Sequence, residues 1–175
     1  MREASITNVE RFFGDDEIIV SKTDLKGHIT YANEVFLSIA DFTEKEVLGQ
    51  PHSMIRHPSM PRSIFKLLWE TLEKKQEIFA YVKNRAKNGD YYWVIAHVTP
   101  SRDKSSNIVG YHSNRRVPER KVLDETIIPL YDDLLSEERQ GGRKHGLENS
   151  YTKLTSLLAS KGVEYDEFIA GVMNN

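Results

Sequence analysis

Between Asp16 and Arg116 the apolar positions come in short runs and in alternation, whereas from Glu119 to Asn175 they recur every third or fourth residue. The first pattern predicts strands and short helices, the second helices alone, with Val117-Pro118 between them. Ile18-Ile19-Val20, the turn signal in "TDLKG" and then "HITYA" predict a β-hairpin. Asn33 suits the N-cap of a short helix through Ile39. Thr43-Glu44-Lys45-Glu46 has the capping-box pattern, and Gly49 and Pro51 end the helix it opens. Farther on, Ile64, Phe65, Leu68 and Leu72 recur at helical spacing with Trp69 alongside; Pro61 fits the first helical position and Ser59 its cap. "EIFAYVKNRAKNGDYYWVIAHVTP" predicts two strands joined at Asn88-Gly89, a dipeptide that tolerates positive φ, and "IVGYHSNRRV" supplies a fifth. The order of two strands, helices and three strands is an α+β pattern with an antiparallel sheet of five strands and flanking short helices.

Composition narrows the function. A length of 175 residues suits one core plus an extension. The net charge of −2, with both signs interspersed, offers no field to hold nucleic acid or an anionic membrane. With no cysteine, disulfides, thiolate metal sites and cysteinyl-flavin photochemistry are excluded. His28, His97 and His145 have no ligand spacing, so no metal site is expected. The N-terminal stretch has no apolar core of signal-peptide length, and no apolar run reaches the ~20 residues of a membrane span. The expectation is a cytoplasmic protein without direct membrane insertion.

The stretch "MIRHPSMP" places Arg56 and His57 among apolar and proline residues. Burying their donors is costly unless something polar receives them, and a bound ligand is one such receiver. An ion pair with a helix carboxylate is the ordinary alternative for Arg56, and a satisfied structural histidine for His57. No nucleophile paired with a base and no phosphate loop is visible, so no catalytic residue is expected and the protein is not read as an enzyme.

Taken together, "TDLKGHITYANEVF", "DFTEKEVLGQPHSMIRHPSMP" and "VKNRAKNGDYYWV" resemble the PAS domain, and within it the flavin-binding PAS domain of bacterial aerotaxis receptors. That resemblance implies a PAS fold over residues 17–118, after an N-terminal cap segment (1–16) and before a helical extension for packing or docking (119–175). It implies a redox or energy sensor that binds FAD and signals to a membrane-bound methyl-accepting-type chemotaxis transducer, cytoplasmic or membrane-associated through that partner, with a homodimer as a further assembly. The family's Arg-His pair falls on Arg56 and His57, its helix-opening Asn on Asn33, its helical Trp on Trp69 and its strand Asn on Asn84. The chain departs from the family pattern Arg-His-Pro-Asp at Ser59.

A flavin site needs apolar walls and a few placed donors, and His52 joins the candidates on that ground. If Asn84 faces the cleft, strand alternation turns Val82 and Ala80 the same way. It also turns Tyr92, Val94 and Ala96 inward, and Trp93 and Ile95 outward, to be covered by the segment around Phe12-Phe13, a second subunit or a partner. On the last strand His112 and Asn114 are expected to face the cleft, or else to bond each other or water. The expected cofactor-binding set is thus Asn33, His52, Arg56, His57, Trp69, Asn84, Tyr92 and Asn114. Stripes at Ile127-Leu130-Tyr131-Leu134-Leu135, Leu147-Tyr151-Leu154-Leu158 and Tyr165-Phe168-Ile169-Val172, with a break at Gly141-Gly142, predict two or three helices that pack on the core or dock elsewhere. Two other functions fit the same fold: a haem-binding gas sensor with an axial histidine, and a cofactor-free PAS interaction module.

Overall fold

The computed structural model describes residues 5–173. Five strands form one antiparallel sheet in the order β2-β1-β5-β4-β3: β1 (Ile19–Thr23), β2 (Ile29–Ala32), β3 (Ile78–Arg85), β4 (Tyr91–Arg102) and β5 (Ile108–Arg116). Between β2 and β3 come α1 (Glu34–Ala40), α2 (Glu44–Val47), a single tight turn of helix (His52–Ile55) and α3 (Arg62–Glu73). The order of strands and helices is the one the apolar pattern predicts.

Local chemistry accounts for the joints. The Asn33 side chain accepts from Phe36 N–H and Val20 N–H and donates to the Ile18 carbonyl, so it caps α1 and ties it to β1. Glu46 accepts from both the N–H and the hydroxyl of Thr43, the reciprocal arm of the predicted capping box. Gly89 takes φ +97° in the turn between β3 and β4, as Asn-Gly there requires. At the other end of the chain's N-terminal segment, Arg11 N–H donates to the Tyr91 carbonyl and Tyr91 N–H to that of Val9. That pairing covers the part of β4 that β5 does not reach.

After β5 the chain is helical: α4 (Arg120–Val122), a wider turn (Leu123–Ile127), a helical stretch α5 (Ile128–Lys161) and α6 (Tyr165–Met173). The α5 stretch is not one rod. Gly142 has φ +58° and ψ −158°, and Lys153 Nζ reaches both Asp133 (2.6 Å) and Glu137 (3.0 Å). On a straight helix, residues twenty positions apart lie about 30 Å apart. Here α5 doubles back at Gly141-Gly142 into an antiparallel hairpin, at the break the sequence marks.

This hairpin and α6 change the expected packing of the outer sheet face. Trp93 is outward and buried, and its cover is this chain's own helical extension rather than the segment at Phe12-Phe13. The Tyr131 ring lies 6.1 Å from it, and Tyr131 Oη donates to the Tyr81 carbonyl at 2.7 Å. Phe12 stays 72% exposed. The apolar stripes of the extension therefore face this chain's own core: Tyr131, Leu134, Leu154, Leu158, Tyr165 and Ile169 are all buried in it.

The cap of α3 is also corrected. The helix begins at Arg62 with Pro61 as its capping residue, and no side chain of the preceding loop caps it. Ser59 instead bonds His57, while the buried carboxylate of Glu138 accepts from Ser63 N–H (3.2 Å) and Arg62 Nε (2.9 Å). A carboxylate at a helix N-terminus is favourable for the unpaired N–H groups and the dipole alike. Glu138 does from the hairpin what Ser59 was expected to do locally.

Candidate functional site

The inner face of the sheet, α3 and the turn at His52–Ile55 enclose a cavity of about 280 Å³, near the lower end of small-molecule sites. Alternation along the strands supplies one wall: Ser21 and Thr23 from β1, Val82 and Asn84 from β3, Ala96 and Val98 from β4, and Tyr111, Ser113 and Arg115 from β5. The opposite wall is apolar, built by Phe65, Leu68, Trp69 and Leu72 on one face of α3. Trp69 meets Tyr111 edge to face, with ring centroids 5.5 Å apart.

The buried polar atoms of this cavity that lack a partner among the described residues are all donors. Arg56 Nε, Asn84 Nδ2 and Arg115 Nη1 are buried without a hydrogen-bond partner among the described residues. Three such groups around one cavity are unusual in a folded protein, because each costs about 1–3 kcal/mol of desolvation if nothing receives it. No Asp or Glu lines the cavity among the described residues, whereas Lys26, Arg56 and Arg115 do. Arg56 stacks its guanidinium 3.6 Å above the Phe65 ring instead of pairing with an acid, which fixes the direction of its free donor. His52 takes part as a neutral ring: burial first, then the charges of Arg115 and Arg56, push it down to about 3. The arrangement fits a flat ligand with apolar faces and an edge of acceptors, and an edge that carries negative charge fits best.

Residues 29–115 match the family model of the PAS fold. This is a PAS domain. The aerotaxis receptor of Escherichia coli is 41% identical over 132 residues, covering 74% of this chain and 25% of that protein. A nitrogen fixation regulatory protein of Klebsiella pneumoniae is 27% identical over 99 residues, 57% of this chain and 20% of that one. The chain thus spans about a quarter or less of the length of these relatives. Among solved structures, a light-oxygen-voltage domain studied with a flavin analogue superimposes with a TM-score of 0.55 at 20% identity, over 66% of this chain and 87% of that one, a likeness of fold. The PAS domain is a sensory signalling module and not itself an enzyme. Among the described residues no helix is long and apolar enough to cross a membrane, and no group of His, Asp or Glu could hold a metal ion.

Of the eight residues expected at the site, the PAS cavity brings together His52, Arg56, Trp69 and Asn84. His57 is elsewhere for a simple reason. Arg56 bridges to Asn84 in an extended backbone, His57 N–H reaching the Lys83 carbonyl, and consecutive side chains in extended chain point to opposite sides. His57 therefore packs on the far side of β3, its ring edge-on to Tyr91 at 5.8 Å. Its Nδ1 accepts from Ser59 N–H, which leaves the proton on Nε2, and Nε2 has no partner among the described residues. Asn33 is spent on capping. Tyr92 faces inward as expected but lies under the core, fully buried, and does not line the cavity. Asn114 and His112 occupy the outer face and bond each other at 3.0 Å, so the expectation that they face the cleft is overturned. Their neighbours Ser113 and Arg115 face it instead, and Arg115 is the main site residue that sequence reasoning missed.

The two depressed histidines make stability pH-dependent. Burial, with Lys83 and Arg85 adding to it, holds His57 at about 4, and His52 lies at about 3, against 6.5 for each in an unfolded chain. Between those values the unfolded chain binds more protons than the folded one. The contribution is fully present above the unfolded value and is lost as pH falls through the window between 6.5 and about 3 to 4. Urea midpoints of ligand-free protein should therefore be lower at about pH 5 than at about pH 7.5, and His57→Gln should flatten the difference. A midpoint that is equal or higher at the lower pH would contradict the neutral assignment.

Proposed function

We propose that this PAS domain binds a flavin, FAD in particular, in the cavity between α3 and the sheet, and reports its redox state as a sensor in aerotaxis or energy taxis. The observation that carries the reading is the set of unpartnered buried donors, Arg56 Nε, Asn84 Nδ2 and Arg115 Nη1, opposite an apolar wall. A flavin has apolar ring faces and a pyrimidine edge of acceptors, and when bound it supplies reversible electron uptake. Phe65, Leu68 and Trp69 would hold the ring faces, and Arg56, Asn84 and Arg115 would hold the edge. A volume of about 280 Å³ suits the ring system, which leaves a diphosphate tail to the rim, where Lys26 is exposed. Similarity to an aerotaxis receptor supports the taxis assignment. In this reading the signal would pass to a membrane-bound chemotaxis transducer as a partner.

Haem fits the cavity less well. His52 is the histidine in the lining, and its Nε2 is already engaged by Arg115 and Ser21. The deciding experiment is the absorption spectrum of the purified protein together with chromatographic identification of what acid releases from it. Paired flavin bands and released FAD support the reading, released FMN corrects it to the other flavin, and a Soret band or a colourless protein that FAD does not reconstitute overturns it.

A further inference from the structure

Arg115 is 2% exposed and has no carboxylate partner among the described residues, an uncommon state for an arginine. Neutral groups hold it in place. Its Nε donates to Ser113 Oγ at 3.1 Å, its Nη2 donates to Ser21 Oγ and to His52 Nε2 (2.8 Å to the imidazole), and its guanidinium carbon lies 5.4 Å from the centre of the Phe36 ring. Three elements, β1, β5 and the turn at His52, therefore fix one cation at the cavity wall while Nη1 is left without a partner among the described residues. Burial lowers Arg115 only to about 10, so it remains charged at neutral pH. A water molecule could satisfy the free N–H but would not compensate the charge. The other charged lining groups, Arg56 and Lys26, are cations too, and the neighbouring Tyr92 is neutral, raised to about 12 by burial.

We propose that Arg115 is the charge-discriminating residue of the cavity: its pre-positioned guanidinium favours the reduced, negatively charged form of the bound ligand over the oxidised form. The inference rests on the flavin reading above and adds to it a residue and a role. Energy is gained where charge builds up, because Ser21, Ser113 and His52 have already oriented the donor and little reorganisation remains. The first electron delivered by an external donor, dithionite in the test, adds one negative charge to the ligand, the second enters together with a proton from solvent so that the fully reduced form keeps one added negative charge, and no bond in the protein is made or broken. Arg115 then helps hold the ligand edge in either state and adds a preference for the reduced one, which the apolar walls do not.

The test compares wild type with Arg115→Gln and Arg115→Lys, each loaded with FAD, by measuring affinity for the oxidised flavin and the midpoint potential. Arg115→Gln should weaken binding of oxidised FAD and weaken binding of the reduced form about tenfold more, a fall of about 59 mV in the midpoint potential for a one-electron step. Arg115→Lys, which keeps the charge, should recover most of that loss. A loaded Arg115→Gln protein with an unchanged potential overturns the inference and leaves the flavin reading standing, as does an equal loss of affinity for both forms. Failure of the wild type to bind any flavin overturns both. If Arg115→Gln does not fold, Ser21→Ala releases one anchor and keeps the charge; a smaller fall in potential is expected there, and none would overturn the assignment. In ligand-free Arg115→Gln protein, NMR titration of His52 reads the same contact. Its protonation point should rise from about 3 when the Arg115 charge is removed, and an unmoved value would contradict the close pairing.

Discussion

Arg56→Ala protein is expected to fold normally and to bind FAD at least tenfold more weakly than wild type. The side chain is half-buried, burial lowers its pKa, and Nε has no partner among the described residues, so its donor is available to a ligand. A hydrogen bond from a charged donor contributes about 1.5–3 kcal/mol, which is roughly a tenfold to hundredfold change in affinity. Folding should be spared because no ion pair is broken: the guanidinium rests on Phe65, and the backbone bridge between Arg56 and Asn84 does not depend on the side chain. Calorimetric titration of ligand-free protein with FAD, with circular dichroism as a control for folding, measures both. Full affinity in a folded Arg56→Ala protein would show that the arginine is there for its stacking alone. His57→Ala provides the contrast, since its ring lies across β3 from the cavity and its loss should alter affinity far less.

Gly146→Ala should be the most destabilising single methyl addition in the helical extension. At the hairpin crossing, a Cβ on Gly146 would sit 2.2 Å from the Glu138 carbonyl oxygen and 3.0 Å from its carbonyl carbon, both backbone atoms that no side-chain rotation can move away. Overpacking costs 1–3 kcal/mol where side chains can adjust, so a backbone collision belongs at or above about 3 kcal/mol. Spreading the two arms also moves Glu138 off the start of α3, leaving the buried Ser63 N–H without its acceptor. For a chain of this size the fall in Tm should be about 6–12 °C. Gly171→Ala in α6 is the control: the added Cβ would meet nothing within 4 Å, and the change should be neutral or slightly stabilising. Equal Tm values for the two variants would mean that the arms of α5 do not approach as described.

Most of the fold was legible because its signals are local. The Asn88-Gly89 turn, the Thr43 capping box, the Asn33 cap and the Gly141-Gly142 break each need only a few neighbouring residues, and the alternation of β3 and β4 is marked by Val82, Val94 and Ala96 facing one way. The last strand carried no such mark. From His112 to Arg116 every residue is polar, so hydrophobic phase could not decide which alternate set faces inward. Tyr111 was the available signal: placed inward against Trp69, it brings Ser113 and Arg115 in with it and sends His112 and Asn114 out. The Arg56-His57 pair misled in another way. Adjacent residues in extended chain cannot both enter one cavity, and the extended state there arises from pairing with β3, which is a tertiary contact. The same limit hid Glu138 as the cap of α3 and Tyr131 as the cover of Trp93, since their partners are 75 and 38 positions away.

The central claim, that an acceptor-bearing flavin edge meets the free donors of this PAS cavity, is tested most directly by following side-chain N–H NMR signals while ligand-free protein is titrated with FAD. The signals of Arg56, Asn84 and Arg115 should shift together and saturate at one FAD per chain, while those of Asn33, already bonded on both sides of its amide, and Asn114, on the outer face, should stay in place. Saturable binding of FAD that leaves the Arg56, Asn84 and Arg115 signals unmoved would contradict the account.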